Sequence, residues 1–70
     1  MDLVVRNPKT GEQKIYTENE LKILAATYCK EKGLRLIRWN VHFTEYQRRP
    51  CLRMIVERND HLRTWTERTL

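Results

Sequence analysis

Serine is missing from all 70 residues of this chain, which excludes a serine nucleophile held on a strained strand-to-helix turn. Glycine occurs only at Gly11 and Gly33, too far apart to form the glycine-rich loop that cradles phosphates in nucleotide-hydrolysing or dinucleotide-binding proteins. Two cysteines, Cys29 and Cys51, are too few for a disulfide framework. With His42 and His61 they are the only soft metal ligands, and their spacings match no closed tetrahedral zinc pattern. A cysteine nucleophile is conceivable only at Cys51, with His42 and Arg53 nearby, but no oxyanion donor or third orienting group accompanies it. Cys29 fits a small core residue. The expectation is a non-enzymatic protein without metal or cofactor, in a reducing cytoplasmic setting. No uninterrupted apolar run approaches bilayer length, and the opening Met1-Asp2 lacks both a basic region and a long apolar stretch, so neither secretion nor membrane insertion is expected.

Lysine, too, is missing from everything beyond Gly33. The basic residues there are Arg35, Arg38, Arg48, Arg49, Arg53, Arg58, Arg63 and Arg68. Guanidinium is weakly hydrated, stacks on aromatic rings and grips phosphate or carboxylate with a planar fork, whereas lysine suits solvated surfaces. The net charge of +5 is also uneven. Residues 1–33 carry six basic and five acidic side chains, and residues 34–70 carry eight and four. The second half therefore reads as a contact surface for an anionic partner.

With 40% hydrophobic residues and two prolines, the chain is too apolar and too poor in breakers to stay disordered, and its length suits one compact domain over 1–70. Leu3-Val4-Val5-Arg6 and Lys14-Ile15-Tyr16-Thr17 flank Asn7-Pro8-Lys9-Thr10-Gly11, a β-hairpin signal in which proline presets one dihedral and glycine supplies a positive one. Thr17-Glu18-Asn19-Glu20 matches a capping box and predicts a helix from about residue 18. Leu21, Leu24, Ala25 and Tyr28 line one helical face, with Cys29 at its margin. Lys22, Lys30 and Glu31 lie towards water, as does Ile23, and Gly33 fits a left-handed stop. Ile37, Trp39, Val41 and Phe43 then alternate with Arg38, Asn40 and His42; Leu52, Met54 and Val56 alternate with Arg53, Ile55 and Glu57. Facing the apolar sets predicts the register Phe43–Leu52, Val41–Met54 and Trp39–Val56, with Arg38 against Glu57 and His42 against Arg53 on the other face. Trp39 and Phe43 are thereby assigned to the core.

The predicted fold is α+β in the order ββαββ, one helix packed on a four-stranded, mainly antiparallel sheet. Residues 59–70 are left between two forms. Leu62 and Trp65 stand at helical spacing after Asn59-Asp60, so the tail either forms a short helix docked over the sheet or stays loose while a partner covers it. By alternation, the sheet face away from the helix carries Val4, Arg6, Lys14, Tyr16, Leu36, Arg38, Asn40, His42, Arg53 and Ile55, a mixture that fits a covered surface.

Nucleic-acid binding requires cations spaced along an extended surface to neutralise phosphates, together with flat or forked side chains that stack on or read bases. Arg38, Asn40, His42 and Arg53 on the sheet, with Tyr46, Arg48 and Arg49 at the second hairpin tip, meet that description. The sequence carries neither a helix-turn-helix nor an RNP aromatic signature. The alternative is a small modulator, an inhibitor or adaptor of the viral or mobile-element type, whose arginines contact an acidic protein surface. The plainer reading is a solvated face in which Arg38 merely pairs with Glu57. A homodimer built through a sheet edge would enlarge either surface.

Overall fold

The structure, a computed structural model, describes residues 2–43 and 49–70. Strand β1 (Asp2–Arg6) pairs antiparallel with β2 (Gln13–Thr17), and helix α1 (Glu18–Glu31) follows without a linker. Strands β3 (Arg35–His42), β4 (Cys51–Glu57) and β5 (Arg63–Thr69) form a second antiparallel sheet in the order β3-β4-β5. The α+β class and the single helix agree with the sequence. The sheet does not: among the described residues five strands lie in two sheets, rather than four in one.

Local chemistry accounts for the first half. Asn7 Oδ1 accepts the Lys9 N–H at 2.9 Å, and the Gly11 N–H reaches the Asn7 carbonyl at 2.8 Å. Gly11 has φ 75°, a conformation open to glycine and strained for most other residues. Thr17 caps α1 by accepting the Glu20 N–H at 3.1 Å. At the other end the Leu34 N–H bonds the Cys29 carbonyl and the Gly33 N–H bonds the Lys30 carbonyl, with Gly33 at φ 69°. These two bonds form a Schellman cap. Leu21, Ala25 and Cys29 are buried, Leu24 and Tyr28 half-buried, and Ile23 exposed.

Strand β4 is central, and its inward residues Leu52, Met54 and Val56 are fully buried. They pack with the inward residues of α1, with Val5 and with Leu70. Cys29 Sγ lies 3.8 Å from Met54 Sδ. Burial pushes the Cys29 thiol above its ordinary pKa, which keeps it protonated and apolar in this core.

The β3–β4 register differs from expectation by two residues. Val41 faces Leu52 and Trp39 faces Met54; Arg38 lies opposite Ile55, Asn40 opposite Arg53 and His42 opposite Cys51. This holds from Arg38 to His42, and a β-bulge between Leu36 and Arg38 moves the pairing by one further residue at Leu36 and Arg35. Strict alternation cannot turn Leu36, Trp39 and Val41 inward together, because their spacing is odd. The extra residue Ile37 permits it, and Leu36 pairs with Val56 and packs on the core. Phe43 then falls past the end of β3 and is 65% exposed, contrary to its expected core role. From Arg38 to His42 the shift of two preserves faces, so Arg38 and Glu57 still share the outer face although Glu57 pairs with Arg35 instead, whereas Leu36, expected on that outer face, is turned into the core by the bulge.

Two further expectations fail. Lys14 and Tyr16 do not share a face with Val4 and Arg6, because β2 pairs Tyr16 with Leu3 and Lys14 with Val5. Tyr16 packs on the core, while Val4 and Ile15 are paired and exposed. The tail is neither helix nor cover. It returns as β5 in the plane of the sheet, through a turn in which Asp60 Oδ1 accepts the Leu62 N–H and His61 adopts φ 60°. Thr64, Thr66 and Thr69 supply β-branched side chains that favour strand over helix, and Leu70 anchors the end in the core.

Candidate binding face on the three-stranded sheet

The face of β3-β4-β5 turned away from α1 is built by alternation on three strands. From β3 come Arg38, Asn40 and His42, and from β4 come Arg53, Ile55 and Glu57. The third row, Arg63, Trp65 and Glu67, comes from β5, which pairs Glu57 with Arg63, Ile55 with Trp65 and Arg53 with Glu67.

Arg53 is the centre of this surface. Its Nε and Nη2 both donate to Glu67 Oε1, at 3.2 and 2.9 Å. Its guanidinium carbon also lies 4.9 Å from the centre of the Trp65 ring. A cation held over an aromatic face by a carboxylate across the strand is a pre-ordered arrangement, because two partners restrict one side chain. Trp65 nonetheless remains 57% exposed. Beside it, Arg38, Trp39, Asn40, Arg53 and Ile55 line a hollow of about 390 Å³.

A second cluster closes one end of the face. Glu57 lies within 3.9 Å of Arg35 Nη1 and 3.7 Å of Arg63 Nε, and His61 Nδ1 lies 3.7 Å from it. The carboxylate is mostly covered while its three partners stay largely exposed. The ion pair expected between Glu57 and Arg38 is therefore taken over by Arg35 and Arg63. Among the described residues Arg38 has neither a hydrogen bond nor an ion pair, and it is exposed.

Of the residues singled out from sequence, Arg38, Asn40, His42 and Arg53 come together on this face. His42 is half-buried opposite Cys51, whose side chain is buried with its Sγ 3.8 Å from Thr69 Oγ1. Burial of that sulfur removes the accessibility a nucleophile requires. Arg49 is half-buried, and its Nε is shielded from solvent without a hydrogen-bond partner among the described residues. Tyr46 and Arg48 lie outside the described residues. Sequence reasoning missed the whole β5 row. The available signal was the threonine alternation around Trp65 after the Asn59-Asp60 turn, which competed with the helical spacing of Leu62 and Trp65.

Among the described residues no cluster of three or more histidine, cysteine, aspartate or glutamate side chains could hold a metal ion. Among the described residues no helix is long and apolar enough to cross a membrane. No protein-family model matches the chain, and no curated protein or solved structure shows significant similarity to it.

Proposed function

We propose that this protein binds nucleic acid without enzymatic activity, through the outer face of the β3-β4-β5 sheet, and that single strands are its preferred form. The observation that carries this reading is the exposed Trp65 ring with Arg53 stacked on it, on the same face as Arg38, which has no ion pair among the described residues. Four arginines, Arg35, Arg38, Arg53 and Arg63, share the face with two carboxylates, Glu57 and Glu67. Phosphates would meet Arg38 first, since among the described residues it has neither a hydrogen bond nor an ion pair, whereas Arg35 and Arg63 both lie against Glu57. A base would stack on Trp65, and Asn40 would offer an amide to its edge. An open, gently twisted sheet presenting an aromatic ring suits unstacked bases better than a duplex groove, and stacking of this kind tolerates any base. His42 lies on the same face at the end of β3.

The test is fluorescence anisotropy of labelled single-stranded and duplex DNA and RNA, at low and at physiological salt, with the wild-type protein and the variants Trp65→Ala and Arg38→Ala. Single-strand binding that weakens steeply with salt and is lost in Trp65→Ala supports the reading. Absence of binding at low salt sinks it. An acidic protein surface would then remain as the partner for these arginines, and such an interface would be less sensitive to salt.

A further inference from the structure

We infer that β5 is a self-complementary edge through which two copies of this chain pair antiparallel, joining two three-stranded sheets into one of six strands, with Trp65 on the two-fold axis. This inference is independent of what the outer face binds.

Backbone geometry supplies the first argument. The Leu70 N–H bonds the Pro50 carbonyl at 3.0 Å, and the Arg58 N–H bonds the Leu62 carbonyl at 3.1 Å. These two bonds bracket the β4–β5 ladder, whose register runs unbroken from Cys51–Thr69 to Glu57–Arg63. Hydrogen-bonded pairs alternate along an antiparallel ladder, so the even-numbered residues of β5 bond to β4. The N–H and C=O groups of Arg63, Trp65, Glu67 and Thr69 consequently point to the open edge. Soluble proteins blunt such edges with proline, charged side chains, lysine above all, or a bulge. Strand β5 has no proline, lysine or bulge, and its charges Arg63 and Glu67 are of opposite sign, whereas the opposite edge, β3, carries the bulge at Ile37.

Side-chain order supplies the second. A two-fold axis at Trp65 places Trp65 against its own copy, Arg63 against Glu67 of the second copy, Glu67 against Arg63, and Thr64 against Thr66. The outward backbone groups of Arg63, Trp65 and Glu67 then meet partners, and both ion pairs form on the outer face, as an isologous interface requires. Glu67 can accept a second arginine, because Arg53 occupies only Oε1. Sliding the pairing by two residues sets Glu67 against Trp65 or Arg63 against Trp65, and sliding it by four sets Glu67 against Glu67. Only the Trp65-centred register is complementary in charge.

Sedimentation equilibrium of the wild-type protein over a wide concentration range, without nucleic acid, is the first measurement. The expected result is a mass that rises from 8.6 kDa towards twice that value. Arg63→Glu places like charges opposite each other twice and should weaken the dimer by about tenfold or more. Trp65→Pro removes an outward N–H together with the exposed ring on which Arg53 stacks, and should leave a folded monomer, as judged by circular dichroism, because an edge strand tolerates proline where its N–H faces solvent. The register is read by single cysteines placed at 64, 65, 66 and 67 under mild oxidation, with the wild-type protein as blank. Only the position on the axis lies within the roughly 4.4–6.8 Å Cα separation that a disulfide needs. Cross-linking at 65 alone is the expected result. A wild-type chain that stays monomeric at every concentration overturns the inference, and so does cross-linking at 66 or 67 instead of 65.

Discussion

The two faces of the β3-β4-β5 sheet are made by the same strands and obey opposite rules. On the inner face Leu52, Met54 and Val56 are shut off completely from solvent, and helix α1 covers them. On the outer face of the same strand Arg53, Ile55 and Glu57 are each partly open, and every charged one is held by a named partner. The inner face tolerates no gap because its atoms are close-packed and each lost methylene is felt. The outer face depends on who stands opposite whom, since an ion pair or a stacked ring needs a particular neighbour. Composition is therefore enough to specify the first face, and register is needed to specify the second.

The largest effect belongs to the inner face. Leu52→Ala should destabilise the fold by about 2–5 kcal/mol through lost burial and the cavity left behind. Urea denaturation followed by circular dichroism measures it. In a chain of this size that loss is a large share of the total stability, and an inner face able to absorb it with a loss well under 1 kcal/mol would erase the contrast. Arg53→Ala should cost about 1–2 kcal/mol, because it removes a cation–π contact and leaves the half-covered Glu67 without its partner. The same experiment reads the outer face. Tryptophan fluorescence should also shift in this variant, since Trp65 loses the guanidinium that lies on it.

Phe43→Ala sharpens the comparison by testing register directly. With Phe43 opposite Leu52, as simple alternation predicts, truncation would cost about 3–5 kcal/mol. With Phe43 beyond the strand and exposed, the loss should stay within about 0.5 kcal/mol. The two outcomes are far enough apart for a single denaturation curve to separate them.

The same residues mark how much was legible in the sequence. The first hairpin, the Thr17 cap, the Gly33 stop and the inner residues of α1 and β4 were readable because each depends on neighbours a few positions away. The helix was read within a residue of its start. The bulge at Ile37 was not readable, because it arises from competition between Leu36 and Phe43 for one place in the core, and alternation assigns that place to whichever run looks more regular. The tail was misread for a related reason. Leu62 and Trp65 fit a helical spacing, but the otherwise unpaired edge of the central strand β4 needs hydrogen bonds that only a strand supplies. The candidate site was half legible: Arg38, Asn40, His42 and Arg53 share a face under either register, whereas Trp65, which gives the face its chemistry, came with the strand that sequence reasoning did not find.

Arg38→Ala carries the smallest expected change in stability and separates folding from binding most cleanly. Its guanidinium makes no ion pair or hydrogen bond among the described residues, so truncation should leave the unfolding free energy within about 0.5 kcal/mol of wild type. Under the nucleic-acid reading, the same substitution removes one phosphate contact. Affinity for single strands should fall at every sequence, and the slope of log K against log salt should become shallower by about 1. Arg35→Ala is the matched control, since Arg35 is engaged with Glu57 at 3.9 Å and offers less to a phosphate. If both variants lower affinity equally, the cations act as a diffuse field and the local arrangement around Trp65 adds nothing. If Arg38→Ala alone does so, the unpaired arginine beside the stacked ring is a contact, and the outer face is distinguished from the inner by binding as well as by burial.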